Sequence, residues 1–221
     1  MTIKAILFDI DGTLADSNDH HVSAWDEAFR AEGHAFDRQA IHDQIGKGAD
    51  MLVPTLIPGS DEATQERLGE AHGVAFKGRY LDKVVPFPGA HELLRHASGR
   101  GQKVVLASSA SKEELDHYVD LLDARDLVDA GTSSDDVENT KPAPDIFSTA
   151  LEKVGGISPD EALVVGDTPY DIEAAKKCGV AAVGLLSGGF SDDALTAAGA
   201  VAIYADVAAL LADYDQSPLA A

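Results

Sequence analysis

The chain has 221 residues, 45% of them hydrophobic, enough for one large domain or a main domain with a smaller one. Its 38 acidic and 17 basic residues give a net charge of −21, which repels nucleic-acid backbone and anionic membrane surface and excludes both as main partners. A single cysteine, Cys178, excludes an intrachain disulfide and a multi-thiolate metal site and fits a reducing compartment.

The first apolar run, Ala5 to Phe8, is short and meets Asp9 at once, so no signal peptide is expected. No later run approaches the ~20 residues of a membrane helix, and the expected location is the cytoplasm. From Ser17 to Val84 the chain reads as helices without a strong strand, including Trp25 to Ala31 and Glu62 to Phe76. This segment is expected to form a helical cap over the sheet edge. Pro86-Phe87-Pro88-Gly89 closes the insert, because two prolines and a glycine favour an extended linker and a turn.

Beyond it, apolar runs at Val104 to Ala107, Leu163 to Val165, Ala181 to Leu185 and Val201 to Tyr204 read as strands. Helices are expected over Ala90 to Ala97, Lys112 to Leu122, Asp145 to Val154, Ile172 to Cys178 and Asp192 to Ala198. Continuous apolar runs suit strands buried on both faces, and their alternation with helices implies a parallel sheet wrapped by helices. Ligands bind such sheets beyond the carboxyl ends of the strands. The tail after Tyr214 is expected to fray. The eight histidines lack the i, i+4 pairing of a helical zinc site and are expected on the surface or in packing.

Four polar stations follow the strands: Asp9 with Asp11, then Ser108, Lys141, and Asp167 with Asp171. Residues i and i+2 of a strand share a side, so Asp9 and Asp11 face one pocket, where like charges repel unless a cation or proton intervenes. An isolated Asp-x-Asp-Gly also suits a solvated turn. A carboxylate can attack a phosphoryl or carbon centre, and a second carboxylic acid can protonate the leaving group and then take a proton from water. Asp9 suits the first task and Asp11 the second. Asp9 and Asp167 offer hard oxygen ligands for Mg²⁺. Lys141 precedes Pro-Ala-Pro, which presents its ammonium from a rigid turn to neutralise a phosphoryl group, and Ser108 offers a hydroxyl to a phosphate oxygen. Ser109 and Ser111 suit caps for the helix near Lys112, and Asp171 suits a cap for the helix at Ile172. Ser158 to Glu161 reads as a capping box.

Asp9-x-Asp11-Gly-Thr, Ser108, Lys141-Pro and Gly166-Asp167-x-x-x-Asp171, in this order over nearly the whole chain, resemble the haloacid dehalogenase-like superfamily. The likeness is greatest to its capped phosphatases, the phosphoglycolate phosphatase and β-phosphoglucomutase group. The resemblance implies an α/β fold: a Rossmann-like parallel sheet flanked by helices, residues 1–16 and 85–221, with an inserted α-helical cap domain, residues 17–84. It implies Asp9 as the phosphorylated nucleophile, Asp11 as general acid/base, and Ser108 and Lys141 as holders of the phosphoryl group. Mg²⁺ is then bound by Asp9, the Asp11 backbone carbonyl and Asp167, with Asp171 behind them or reaching the ion through water. Gly12, Thr13, Ser109, His21 and Lys47 are the candidate substrate contacts.

The carbon-halogen hydrolases of that superfamily lack an acid two residues after the nucleophile, so Asp11 argues for phosphoryl transfer. An alkoxide leaving group needs the proton that chloride does not. His21-Val-Ser-Ala-Trp25 is similar to a segment of the sugar-phosphate group in which the histidine lies near the acid/base aspartate; Trp25 suits packing within the cap. The arginine with which the mutase grips a second phosphate is missing from Ile45 to Asp50, and Lys47 or Lys77 are the cations available to substitute for it. The expected activity is hydrolysis of a small phosphate monoester, phosphoglycolate or a sugar phosphate, with Mg²⁺. The rivals are a phosphomutase and a non-catalytic binding protein on the same fold.

Overall fold

The computed structural model describes residues 2–221. In chain order its elements begin with strand β1 (Ala5–Phe8), the short strand β2 (Ala15–Asp16) and the helices α1 (Asn18–Ala31), α2 (Arg38–His42), α3 (Ala49–Leu56) and α4 (Glu62–Arg79). Then come β3 (Val85–Pro86), α5 (Ala90–Gly99), β4 (Lys103–Ala107), α6 (Lys112–Leu121), β5 (Ala130–Thr132) and α7 (Asp145–Val154). The chain ends with β6 (Ala162–Gly166), α8 (Pro169–Lys177), β7 (Ala181–Leu185), α9 (Asp192–Ala198), β8 (Ala202–Tyr204) and α10 (Val207–Ala212).

Among the described residues six strands form one parallel sheet in the order β5-β4-β1-β6-β7-β8, so β1 sits between β4 and β6 in the middle. The alternation of strand side chains explains the apolar runs. Ile6 and Phe8 join Val104, Leu106, Val165, Leu93 and Tyr118 on one face, while Ala5 and Leu7 join Val105, Val164, Ile146, Phe147 and Ile172 on the other. With both faces covered, β1 is wholly buried and carries no polar side chain until Asp9. β2 and β3 pair antiparallel where the helical insert leaves and rejoins the sheet. Helices α1 to α4 enclose a separate apolar cluster of Val22, Trp25, Phe29, Ile41, Leu52 and Leu68.

Three departures from the sequence reading have physical causes. Strand β5 was not expected, because Ala-Gly-Thr at a half-buried sheet edge has no aliphatic run. Helix α1 begins at Asn18 rather than near Trp25, its first turns being polar because they face the site described below. The tail after Tyr214 does not fray: Leu219 is buried, Gln102 Nε2 donates to its carbonyl at 2.7 Å, and Ile3 N donates to Ala221 O at 2.9 Å. No helix of the described residues is long and apolar enough to cross a membrane.

Candidate active site

The loop after β1 is shaped by its backbone before its side chains matter. Asp9 N donates to Val165 O at 2.9 Å, extending the β1 to β6 ladder one residue past the strand, and Leu14 N closes a turn on Ile10 O at 2.8 Å. Gly12 takes φ +76°, a conformation costly for other residues, and a Cβ there would stand 2.3 Å from both Asp167 Oδ2 and Asn18 Nδ2. The turn can therefore press against the end of β6 only with glycine at this position.

Four strand ends and turns bring the expected residues together. The buried Lys141 ammonium bonds to Asp9 Oδ1, lies 2.8 Å from Asp171 Oδ1 and donates to Ala107 O, the last residue of β4, at 3.0 Å. Carboxylate oxygens of Asp9, Asp167 and Asp171 all lie within 4.8 Å of one another. Thr13 Oγ1 donates to Asp167 Oδ1 at 2.8 Å and reaches Asp9 Oδ2 at 3.4 Å, so its side chain serves the carboxylates rather than the cavity. Thr168, not Asp171, is the N-cap of α8: its hydroxyl accepts from Asp171 N, while Asp171 Oδ2 accepts from Thr168 N at 3.0 Å. The proline at position 169 marked that helix start in the sequence. Ser111 caps α6 in the same reciprocal way with Glu114, and Ser158 does so with Glu161.

Burial sets the electrostatics. The Asp9 carboxyl is pushed up to about 7 by desolvation and by the Asp171 and Asp11 charges, against the pull of Lys141. Asp167 is raised well above the usual range by desolvation and by its two carboxylate neighbours, and the Asp9 and Asp171 charges hold the Lys141 ammonium protonated despite its burial. Three buried carboxylates share one ammonium, and the imbalance fits a bound divalent cation with hard oxygen ligands. Asn18 Nδ2 donates to Asp167 Oδ2 at 3.1 Å, and its buried Oδ1 has no donor, the kind of acceptor that a metal-bound water satisfies.

Asp11 belongs to a different environment. Its Oδ1 accepts from Ser17 Oγ and Tyr118 OH, each at 2.6 Å, and lies 3.0 Å from His21 Nε2; Ser108 Oγ is 3.5 Å from Oδ2. Desolvation raises this carboxyl, but the His21 charge and these donors overcome it and hold it well below the usual carboxylate range. His21 Nδ1 is 3.2 Å from His72 Nε2, and His72 stacks on Trp25 with ring centroids 4.3 Å apart. Desolvation keeps His72 neutral well below its ordinary value, so it accepts from His21 Nδ1–H while His21 Nε2–H faces Asp11. His21 stands beside Asp11 as the resemblance implied, and His72 departs from the expectation that the remaining histidines are surface or packing residues. His72 was missed because its partner is 51 positions away and no local spacing links them.

Asp9, Asp11 and Ser108 open on a cavity of about 680 Å³ between the strand ends and the insert, with Lys47, Ser109 and His72 also on its wall. Lys47 Nζ bonds Gln44 Oε1 at 2.6 Å and lies 4.3 Å over the Tyr170 ring. Ser109 does not cap α6; its hydroxyl donates to Gly46 O at 3.1 Å. Asp50 in the insert accepts from Thr140 N at 2.9 Å and Thr140 Oγ1 at 2.5 Å, one residue before Lys141. The insert is thus bonded directly to the turn that carries the ammonium.

The model of the haloacid dehalogenase-like hydrolases matches residues 3–179, which include Asp9, Lys141, Asp167 and Asp171. The chain belongs to that family. It is 28% identical over 225 residues to a phosphoglycolate phosphatase of Rhodospirillum rubrum, covering 94% of this chain and 89% of that protein. A validoxylamine A 7'-phosphate phosphatase of Streptomyces hygroscopicus subsp. limoneus is 29% identical, over 82% of this chain and 85% of its own length. Among solved structures a hydrolase from Pseudomonas syringae superimposes with a TM-score of 0.89 at 34% identity, covering 98% of this chain and 99% of that one. The family's sheet and the six-stranded parallel sheet here agree in class, as the strand pattern implied.

Proposed function

We propose that this chain is a Mg²⁺-dependent phosphatase of small phosphate monoesters that works through an aspartyl-phosphate on Asp9. The observation that carries the reading is the buried Lys141 ammonium held between Asp9 and Asp171, beside the carboxylate of Asp167, with Asp9 itself on the wall of a cavity that Asp11 also lines. Relatives named as phosphatases at 28% and 29% identity support it. Residues 1–16 and 85–221 are the catalytic core and 17–84 the cap, which shields the reacting groups from water.

In this reading a carboxylate oxygen of Asp9 forms a bond to phosphorus as the bond from phosphorus to the ester oxygen breaks. The proton for the departing alkoxide comes from the Asp11 and His21 pair, which holds one proton between Asp11 Oδ1 and His21 Nε2. Asp11 then accepts a proton from the water that attacks phosphorus, the Asp9 ester is cleaved, and phosphate leaves. Lys141, with the hydroxyls of Ser108 and Ser109, receives the phosphoryl oxygens; Gly12 and Thr13 fix the loop that aims Asp9, and Lys47 donates to a hydroxyl of the leaving group. Asp9, Asp167 and the Asp11 carbonyl would hold Mg²⁺, with Asp171 orienting Lys141 behind it. The cation would supply positive charge against the phosphoryl oxygens, the main requirement of phosphoryl transfer.

Asp9→Asn tests this reading with p-nitrophenyl phosphate and Mg²⁺. Turnover should vanish while the fold persists. Undiminished hydrolysis would remove Asp9 as nucleophile. Isomerisation of a hexose 1-phosphate without phosphate release would instead mark a phosphomutase, and Mg²⁺ binding without turnover of a broad metabolite panel would mark a binding protein.

A further inference from the structure

Helix α4 carries two glycines on the cavity wall one turn apart, and packing explains only the first. A Cβ on Gly69 would stand 2.8 Å from the Ala49 Cβ, so glycine is needed there for α3 and α4 to approach. A Cβ on Gly73 would meet nothing within 4 Å. Glycine in a helix interior is less stable than alanine, and at position 73 no neighbour in the fold offsets the loss. What Gly73 leaves is volume, in a cavity of about 680 Å³ that far exceeds the space a two-carbon acid requires.

The wall beside that volume is acidic. Glu70 and Glu138 both border the cavity, and neither has a cationic partner among the described residues. Of the two lysines on the wall, Lys77 is paired with Glu113 at 2.7 Å, and Lys47 keeps its charge but is held by the neutral Gln44 and Tyr170, leaving the glutamates in excess. Carboxylates accept hydrogen bonds and repel a second anion, so this chamber suits hydroxyl groups and disfavours a carboxylate or another phosphate.

We propose that Gly73 sets the size limit of the leaving-group chamber, and that Glu70 and Glu138 select an uncharged, hydroxylated alcohol larger than two carbons. The proposal rests on the phosphatase reading and adds which ester that site prefers. The absent side chain at position 73 admits the body of the alcohol, and the two glutamates accept from its hydroxyls.

The test compares kcat/KM for glucose 6-phosphate and for phosphoglycolate, with Mg²⁺, in the full chain. The wild type should favour the sugar ester. Gly73→Leu should lower kcat/KM for the sugar ester at least about 10-fold, since even one misplaced methylene in a pocket can cost that much, and change phosphoglycolate less than about 3-fold. Gly73→Ala, which reinstates a helix-favouring residue in empty space, should melt higher than wild type and lower kcat/KM for the sugar ester less than Gly73→Leu does. Gly78→Leu, in the exposed last turn and off the cavity, should change neither substrate. The double variant Glu70→Gln/Glu138→Gln should narrow the preference by improving phosphoglycolate several-fold. Equal losses on both esters in a Gly73→Leu protein that melts like wild type, or no loss on either, would overturn the proposal. A preference for phosphoglycolate in the wild type would overturn it too while leaving the phosphatase reading intact. Absence of phosphate release from every ester would overturn both.

Discussion

The Lys141 ammonium lies 2.8 Å from Asp171 Oδ1, both groups lying inside the protein, while Asp171 Oδ2 is tied to the first turn of α8 through Thr168. The pair therefore fixes a flexible side chain to the start of a rigid helix, and the same ammonium meets Asp9 at the end of the central strand. Removing the lysine leaves the buried Asp9, Asp167 and Asp171 without that counter-charge. Lys141→Met should lose roughly 3–5 kcal/mol of stability in Mg²⁺-free buffer, measured by denaturant unfolding, and at least about 10³-fold in kcat. Added Mg²⁺ should recover part of the stability and none of the activity. A variant as stable as wild type without metal would show that proton uptake by the carboxylates fully replaces the ammonium.

The carboxylate cluster also fixes how metal and pH act together. Asp9 rises from an ordinary 3.8 to about 7 in the fold, so between those values the native state holds a proton that the unfolded chain has released, and its contribution to stability falls as pH rises. Asp167 is raised and acts in the same direction. Neutral, buried His72 acts oppositely below its ordinary 6.5, because the unfolded chain takes up the proton that it refuses. The difference between Mg²⁺ and EDTA cancels the histidine and isolates the carboxylates, which must be deprotonated to ligate. The stabilisation by a fixed concentration of Mg²⁺, followed as a rise in Tm, should be small at pH 5 and grow up to pH 8, where a hundredfold excess over Kd corresponds to about 2.7 kcal/mol. Asp167→Asn should abolish the gain and raise the Tm of the EDTA-treated protein. A gain independent of pH would contradict Asp9 and Asp167 as ligands.

Legibility of the sequence followed the range of the physics involved. Asp9, Lys141, Asp167 and Asp171 stand at ends of apolar runs or before prolines, and the alternation of strand and helix places all such ends on one rim of a parallel sheet. The convergence of those four was therefore readable, and the strand order was not needed for it. Asn18, Tyr118 and His72 were unreadable because their work is done across 149, 107 and 51 positions, on Asp167, Asp11 and His21 respectively. Nothing local distinguishes Tyr118 from a core aromatic on α6, and its ring is in fact packed in the core while its hydroxyl alone reaches the site. Strand β5 escaped for the opposite reason: its residues are small and half-buried, and only the edge of β4 makes them a strand.

Asp11 is held ionised by His21, Ser17 and Tyr118, which suits a base and makes the proposed role as proton donor depend on the proton shared with His21. Asp11→Asn should lower kcat for alkyl phosphates about 10²-fold or more and for p-nitrophenyl phosphate much less, because nitrophenolate leaves without a proton. Equal losses would remove acid catalysis from Asp11. Tyr118→Phe removes one donor to the carboxylate and should raise its proton affinity, shifting the acid limb of the kcat profile to higher pH with the Tm of the fold tracked alongside.

The chain end after α10 is a structural strap. Gln102, buried at the start of β4, donates to Ile3 O at 3.1 Å and Leu219 O at 2.7 Å and accepts from Tyr214 OH, so one amide ties the segment before β1 to the segment after α10. Leu219 is buried in the same cluster as Phe8 and Leu106, on the face of β1 away from α7 and α8. Leu219→Ala should cost about 2–5 kcal/mol by the cavity it leaves. Deleting residues 215–221 should cost more, since it also takes away the Leu219 carbonyl that accepts from the buried Gln102 amide. Because the strap touches none of the site residues, kcat measured well below the transition should stay within about twofold of wild type. Unfolding curves of the two variants that overlay the wild-type curve would return this segment to the frayed state that its sequence suggests.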